Sequence, residues 1–192
     1  MSYLVLGLVL FLGVHSVRIV ADGWRTRVLQ RVGEVAYKGL YTVVSLLGFG
    51  LIIYGFGVAR ETPVVLWSPP MGMRHAASLF TVVAFVLLAA AYVPRNAIKA
   101  RVHHPMVLAV KSWALGHLLA NGMVAHVLLF GAFLVWAVLN FIAARRRDRA
   151  ADTPYPAGTL GGTIAAVAVG LAVWALFAFK LHGLLIGIRP FG

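Results

Sequence analysis

Long apolar runs alternate along the chain with short segments rich in arginine. Six runs approach the ~20 helical residues needed to cross a hydrocarbon core of about 30 Å. They cover residues 2–20, 38–58, 76–93, 105–120, 123–143 and 161–186. The fourth is the shortest and carries Lys111. Only Asn121-Gly122 separates it from the fifth, a tight connection suited to an antiparallel helix pair. The first run lacks a basic leader and an Ala-x-Ala-like cleavage site, so it reads as a span and not as a cleaved signal. No repeat of fixed period and no second domain are evident. The pattern predicts an all-α integral membrane bundle of six transmembrane helices, a single transmembrane domain over residues 1–192.

Composition sharpens this. Hydrophobic residues make up 61% of the 192 positions and charged residues only 11%, against about 25% charged in soluble domains. A water-soluble monomer is excluded. Seventeen Lys and Arg stand against five Asp and Glu, a formal +12. A nucleic-acid binder needs a polar scaffold for its basic face. Here the bases lie between apolar runs, so nucleic acid is not an expected partner and membrane lipid is. Twelve bases fall in or beside the first, third and fifth connections: Arg18, Arg25, Arg27, Arg31 and Lys38; Arg95, Lys99 and Arg101; Arg145, Arg146, Arg147 and Arg149. The other connections and the C-terminus hold only Arg60, Arg74 and Arg189. By the positive-inside rule the odd connections face the cytoplasm, and both termini lie outside. The expected address is the cell inner membrane, multi-pass.

The acids Asp22, Glu34, Glu61, Asp148 and Asp152 all fall in connections or at span edges, which leaves a carboxylate relay within the membrane no residues. The spans instead hold His15, His117, His126 and His182, with Lys111 and Lys180, while His75 and the pair His103-His104 open the third and fourth spans. Ionisable groups inside a membrane are costly and tend to mark function. Histidine without cysteine, without a zinc-type His-Glu-x-x-His and without a Cys-x-x-Cys-His attachment sequence makes haem b, held by axial histidines, the most economical cofactor. Lys111 suits a haem propionate; its alternative is snorkelling to the water interface. His126 reads as interfacial packing and His103 as a wet loop residue. His75, His104 and His182 read first as helix-packing groups, with ligation the alternative, and Trp113, Trp136 and Trp174 as rings deep in the bundle.

Several segments resemble the bacterial NnrU family. They are Phe11-Leu12-Gly13-Val14-His15-Ser16, Gly33-Glu34-Val35-Ala36-Tyr37-Lys38, Val102-His103-His104-Pro105-Met106 and Trp113-Ala114-Leu115-Gly116-His117, continuing through Phe130-Gly131 and Arg145–Arg149 to Leu181-His182-Gly183 and Arg189-Pro190-Phe191. That resemblance implies a link to denitrification and nitric-oxide metabolism. The chain is also similar to the zeta-carotene isomerases, haem b proteins that turn a central cis double bond trans. This second likeness implies axial ligation by His15 and His117; Lys111 and Trp113 are further candidates for contact with the cofactor. The likeness also implies redox or isomerase-like chemistry on a hydrophobic or small-molecule substrate. Ala114 stands where the plant enzymes carry cysteine, so a cysteine-based ligand exchange is not inherited.

Depth along the spans cuts across that pairing. His15 lies roughly 8 Å from the inner end of its span and His117 roughly 5 Å from the outer end of its own, at 1.5 Å per residue. The substitutes are His104 in the inner layer with His15, or His75 or His182 in the outer layer with His117. Competing expectations are a non-enzymatic accessory or assembly protein for a denitrification enzyme, a small transporter, and a membrane methyltransferase. The last rests on Arg101-Val102-His103-His104-Pro105, which resembles the Arg-His-Pro segment of isoprenylcysteine methyltransferases.

Overall fold

The computed structural model describes residues 1–191 and is all-helical. The helices are α1 Ser2–Val20, α2 Asp22–Val32, α3 Glu34–Glu61, α4 Met73–Tyr92, α5 Ala97–Val102, α6 Pro105–Ala120, α7 Val124–Ala150, α8 Leu160–Leu176 and α9 His182–Ile186. A single π-helical turn, Phe177–Leu181, joins α8 to α9. Five helical stretches are long and apolar enough to cross a membrane: α1, α3, α4, α7 and the continuous run Leu160–Ile186. The sixth apolar run forms α6, a shorter helix of 16 residues. Much of the apolar surface faces outward, as on Val9, Leu40 and Leu47, each at least 60% exposed. Such an exterior is stable only against lipid.

The chain forms two compact units. The first comprises residues 1–68 and 121–143. Without a hydrophobic drive between helices in lipid, close packing must come from small residues. Here α1 lies against α3 through Gly7, Gly48 and Gly55. A Cβ on Gly7 would stand 2.6 Å from the Ile52 amide nitrogen, and one on Gly48 2.7 Å from the Phe11 nitrogen. The buried positions Gly48, Ile52, Gly55 and Ala59 recur at helical spacing, forming the stripe that α1 covers. The segment after α3 is pinned to the start of α7, where Leu66 N donates to Gly122 O (2.8 Å) and Val124 N to Val64 O (2.9 Å).

The second unit comprises residues 69–120 and 144–191. Gly116 of α6 rests against Ala77 and Phe80 of α4, and Ser112 Oγ donates to Phe80 O at 2.7 Å. Gly170 of α8 rests against Val86 of α4, and Trp174 Nε1 donates to Thr81 Oγ1 at 3.1 Å. Asn96, 2% exposed, organises the connection from α4 to α5. It caps α5 by accepting from Lys99 N and donates to Ala90 O and Val93 O. Thr159 caps α8 by accepting from Gly162 N, and its own amide donates to Arg95 O. These bonds satisfy helix-end groups that would otherwise lack partners.

All three basic connections depart from the expectation of loops. The first is the helix α2, joined to its neighbours by Ala21 and Gly33 alone, the third contains α5, and α7 runs on through Arg145–Arg149. Gly33 has φ +82°, a conformation glycine takes at little cost.

Candidate functional site

In the first unit, His15 lies on the fourth turn of α1. Its Nδ1 stands 2.6 Å from Phe11 O. A carbonyl only accepts, so Nδ1 carries the proton and a neutral ring keeps its lone pair on Nε2. Phe11 also stacks on the imidazole at 4.2 Å, and the rings of Tyr41 and Trp136 stand 5.1 and 6.2 Å from it. The Trp136 Nε1 is buried without a hydrogen-bond partner among the described residues. His15 thus occupies an aromatic pocket that also contains an unused donor.

In the second unit, His117 is held the same way. Its Nδ1 meets Trp113 O at 2.8 Å, and the Trp113 ring stands 5.3 Å away. Trp113 and His117 share one face of α6. Lys111 is half-buried and sits six residues earlier, about 120° around the helix and about 9 Å along it. Thus the fold joins Trp113 to His117 and leaves Lys111 on another face. His182 Nδ1 meets Ile188 O at 2.7 Å, and His75 is exposed on the first turn of α4.

His104 is engaged through its other nitrogen. Its Nε2 lies 2.6 Å from Asp148 Oδ2, which also accepts from Tyr155 OH at 2.5 Å and Arg145 NH1 at 3.4 Å. His103, expected as a wet loop residue, is instead sandwiched: Tyr155 stacks on its ring at 3.7 Å, and Arg145 contacts its Nδ1. Its φ of +68° is a left-handed conformation that a histidine adopts only where surroundings enforce it. Burial, and then the Arg145 charge, lower the His103 pKa. Burial and the bond to Asp148 push the Tyr155 phenol up to about 12. This cluster joins the start of α6, the end of α7 and the following loop, all within the second unit.

Sequence reasoning treated Arg145–Arg149 as a charge run and did not single out Tyr155 or a role for Asp148. The only available signal was an acid embedded in four arginines. His126, expected to pack, is 8% exposed between the rings of Phe56 and Phe130. Among the described residues, no group of three or more His, Cys, Asp or Glu is placed to hold a metal ion.

Membrane-length apolar helices, small-residue packing and a lipid-compatible exterior define a multi-pass helical membrane protein. Residues 3–190 match the NnrU protein family, nearly the whole chain. The chain belongs to that family. No curated protein and no solved structure matched it.

Proposed function

We infer that the protein is a haem b-binding protein of the inner membrane, with His15 and His117 as axial ligands. Its chemistry is of a redox or isomerase type, on a small or hydrophobic substrate connected with nitric-oxide metabolism. The observation that carries this reading is the shared setting of the two rings. Each commits Nδ1–H to the carbonyl four residues earlier, at 2.6 and 2.8 Å. Metal-ligating histidines are held this way, because the bond at one nitrogen fixes the tautomer and raises the basicity of the other.

The donor set fits the group: neutral imidazole, aromatic walls and the unused indole donor of Trp136 beside His15. Haem, when bound, supplies an iron able to exchange an electron or take a small ligand. Phe11 would orient His15 through both its carbonyl and its ring, while Tyr41 and Trp136 would keep water from it. Trp113 would play the matching part for His117, and Lys111 is the candidate cation for a propionate.

The test is the absorption spectrum of protein purified in detergent after expression with ample haem. The wild type should show a Soret band, and His15→Ala and His117→Ala should each weaken or shift it while the protein still inserts. A wild type without that band would sink the reading.

A further inference from the structure

The first basic connection has the build of a lipid-binding device. Helix α2, Asp22–Val32, places Trp24, Val28 and Val32 along one side at positions four apart, with Thr26 and Gln30 opposite and Arg25 and Arg31 flanking the apolar edge. Trp24 is 51% exposed, although an indole in water gains nothing from exposure. A short helix whose aromatic apolar edge is flanked by arginines fits the plane between headgroups and acyl chains. Beneath it, Val14, Val17, Leu40 and Val44, with the rings of Trp24, Tyr37 and Tyr41, line a groove of about 140 Å³. A space of this size admits a benzene-sized piece of hydrocarbon.

The groove's rim is cationic. Arg25 lies over the Tyr37 ring at 5.8 Å, and Arg18 and Arg25 flank Asp22, each at 3.8 Å. Lys38 is paired with Glu34 at 2.6 Å. Over residues 18–38 five bases therefore face two acids, and both acids are already shared with bases. An apolar groove below a surplus of guanidinium groups complements one molecule: a phospholipid with an anionic headgroup, its acyl chain below and its phosphate above.

We propose that α1, α2 and α3 form a binding site for an anionic phospholipid, with Arg25, Arg27 and Arg31 at the headgroup and Trp24 at the top of the chain. Its headgroup end uses arginines that the haem reading does not, while Tyr41 lines both the groove and the His15 pocket.

The experiment reconstitutes the full chain in phosphatidylcholine vesicles containing a minor fraction of brominated phosphatidylglycerol or, at the same fraction, brominated phosphatidylcholine. Quenching attributable to Trp24 is the difference between wild type and Trp24→Phe. Each arginine near an anionic surface is worth about a fivefold preference, so partial loss to Asp22 still leaves at least about threefold stronger quenching by the anionic lipid. The triple variant Arg25→Gln/Arg27→Gln/Arg31→Gln should lose that preference while keeping its response to brominated phosphatidylcholine. Should the triple variant not insert, Arg25→Gln alone should reduce the preference. Equal quenching by both lipids in the wild type, no quenching of Trp24 at all, or a preference unchanged by the arginine substitutions would each overturn the proposal. So would relief of the quenching by excess inorganic phosphate, which would mark a site for the free anion.

Discussion

His15 and His104 are both half-buried histidines, yet their surroundings put them to opposite uses. At His15 a backbone carbonyl takes the Nδ1 proton, and the rings of Phe11, Tyr41 and Trp136 stand around the imidazole. At His104 a carboxylate takes Nε2, and a phenol and a guanidinium converge on the same oxygen. The first arrangement leaves a lone pair on offer in an apolar pocket. The second ties up its imidazole in a satisfied polar network. Partner identity, more than depth in the helix, separates the proposed ligand from the fastener. On this ground His104 is the weaker substitute for His15 as a ligand.

The largest effect expected from breaking this contrast is at the fastener. Asp148→Ala removes the acceptor shared by His104, Tyr155 and Arg145, and should cost about 3 kcal/mol, because the Arg145 guanidinium is left only partly solvated and two donors lose their partner. Thermal unfolding in detergent would read it as a clear drop in midpoint, with haem content per folded molecule unchanged. Gly48→Val strikes the other region. The new side chain meets the backbone of Phe11, the residue that holds His15. Overpacking of this kind costs about 2 kcal/mol, and haem retention should fall together with the melting midpoint. If Gly48→Val left haem retention intact, Phe11 would not be the positioning residue for His15.

Much of this was legible in advance, for reasons that differ between elements. The runs that became α1, α3, α4, α6, α7 and Leu160–Ile186 announce themselves because lipid demands uninterrupted apolar sequence. Helix α2 was hidden: its arginines dominate a short segment, and its apolar side has only three or four residues. Asp148 and His104 are 44 residues apart, so only the folded second unit brings them together. Their roles cannot be read from an arginine run and a His-His-Pro segment separately. His15 and His117 were visible as histidines in apolar runs, but the carbonyl bonds that set their tautomers follow from ring orientation.

Smaller effects sharpen the contrast further. Tyr155→Phe removes one of three donors to Asp148 and should cost about 1.5 kcal/mol, as a single hydrogen bond to a charged group. The midpoint difference from wild type would check it, and a loss as large as that of Asp148→Ala would mean Tyr155 alone holds the cluster. The smallest effect is with pH. The folded pKa of His103 lies below its ordinary value of 6.5, so the neutral ring is the one the fold favours. Its contribution is full above about pH 6.5 and is lost as pH falls towards the depressed value. Wild type should therefore lose slightly more stability than His103→Gln on going from neutral pH to about pH 5. Parallel decline of the two proteins would remove His103 from the account.

The central claim is that the Nε2 of His15 is a lone pair on offer to iron, and chemical rescue tests it most directly. His15→Gly, purified with haem in detergent, should show an altered Soret band that free imidazole restores towards wild type. His104→Gly under the same conditions should keep the wild-type band and gain nothing from imidazole. A His15→Gly protein with an unchanged spectrum, or rescue confined to His104→Gly, would contradict the account.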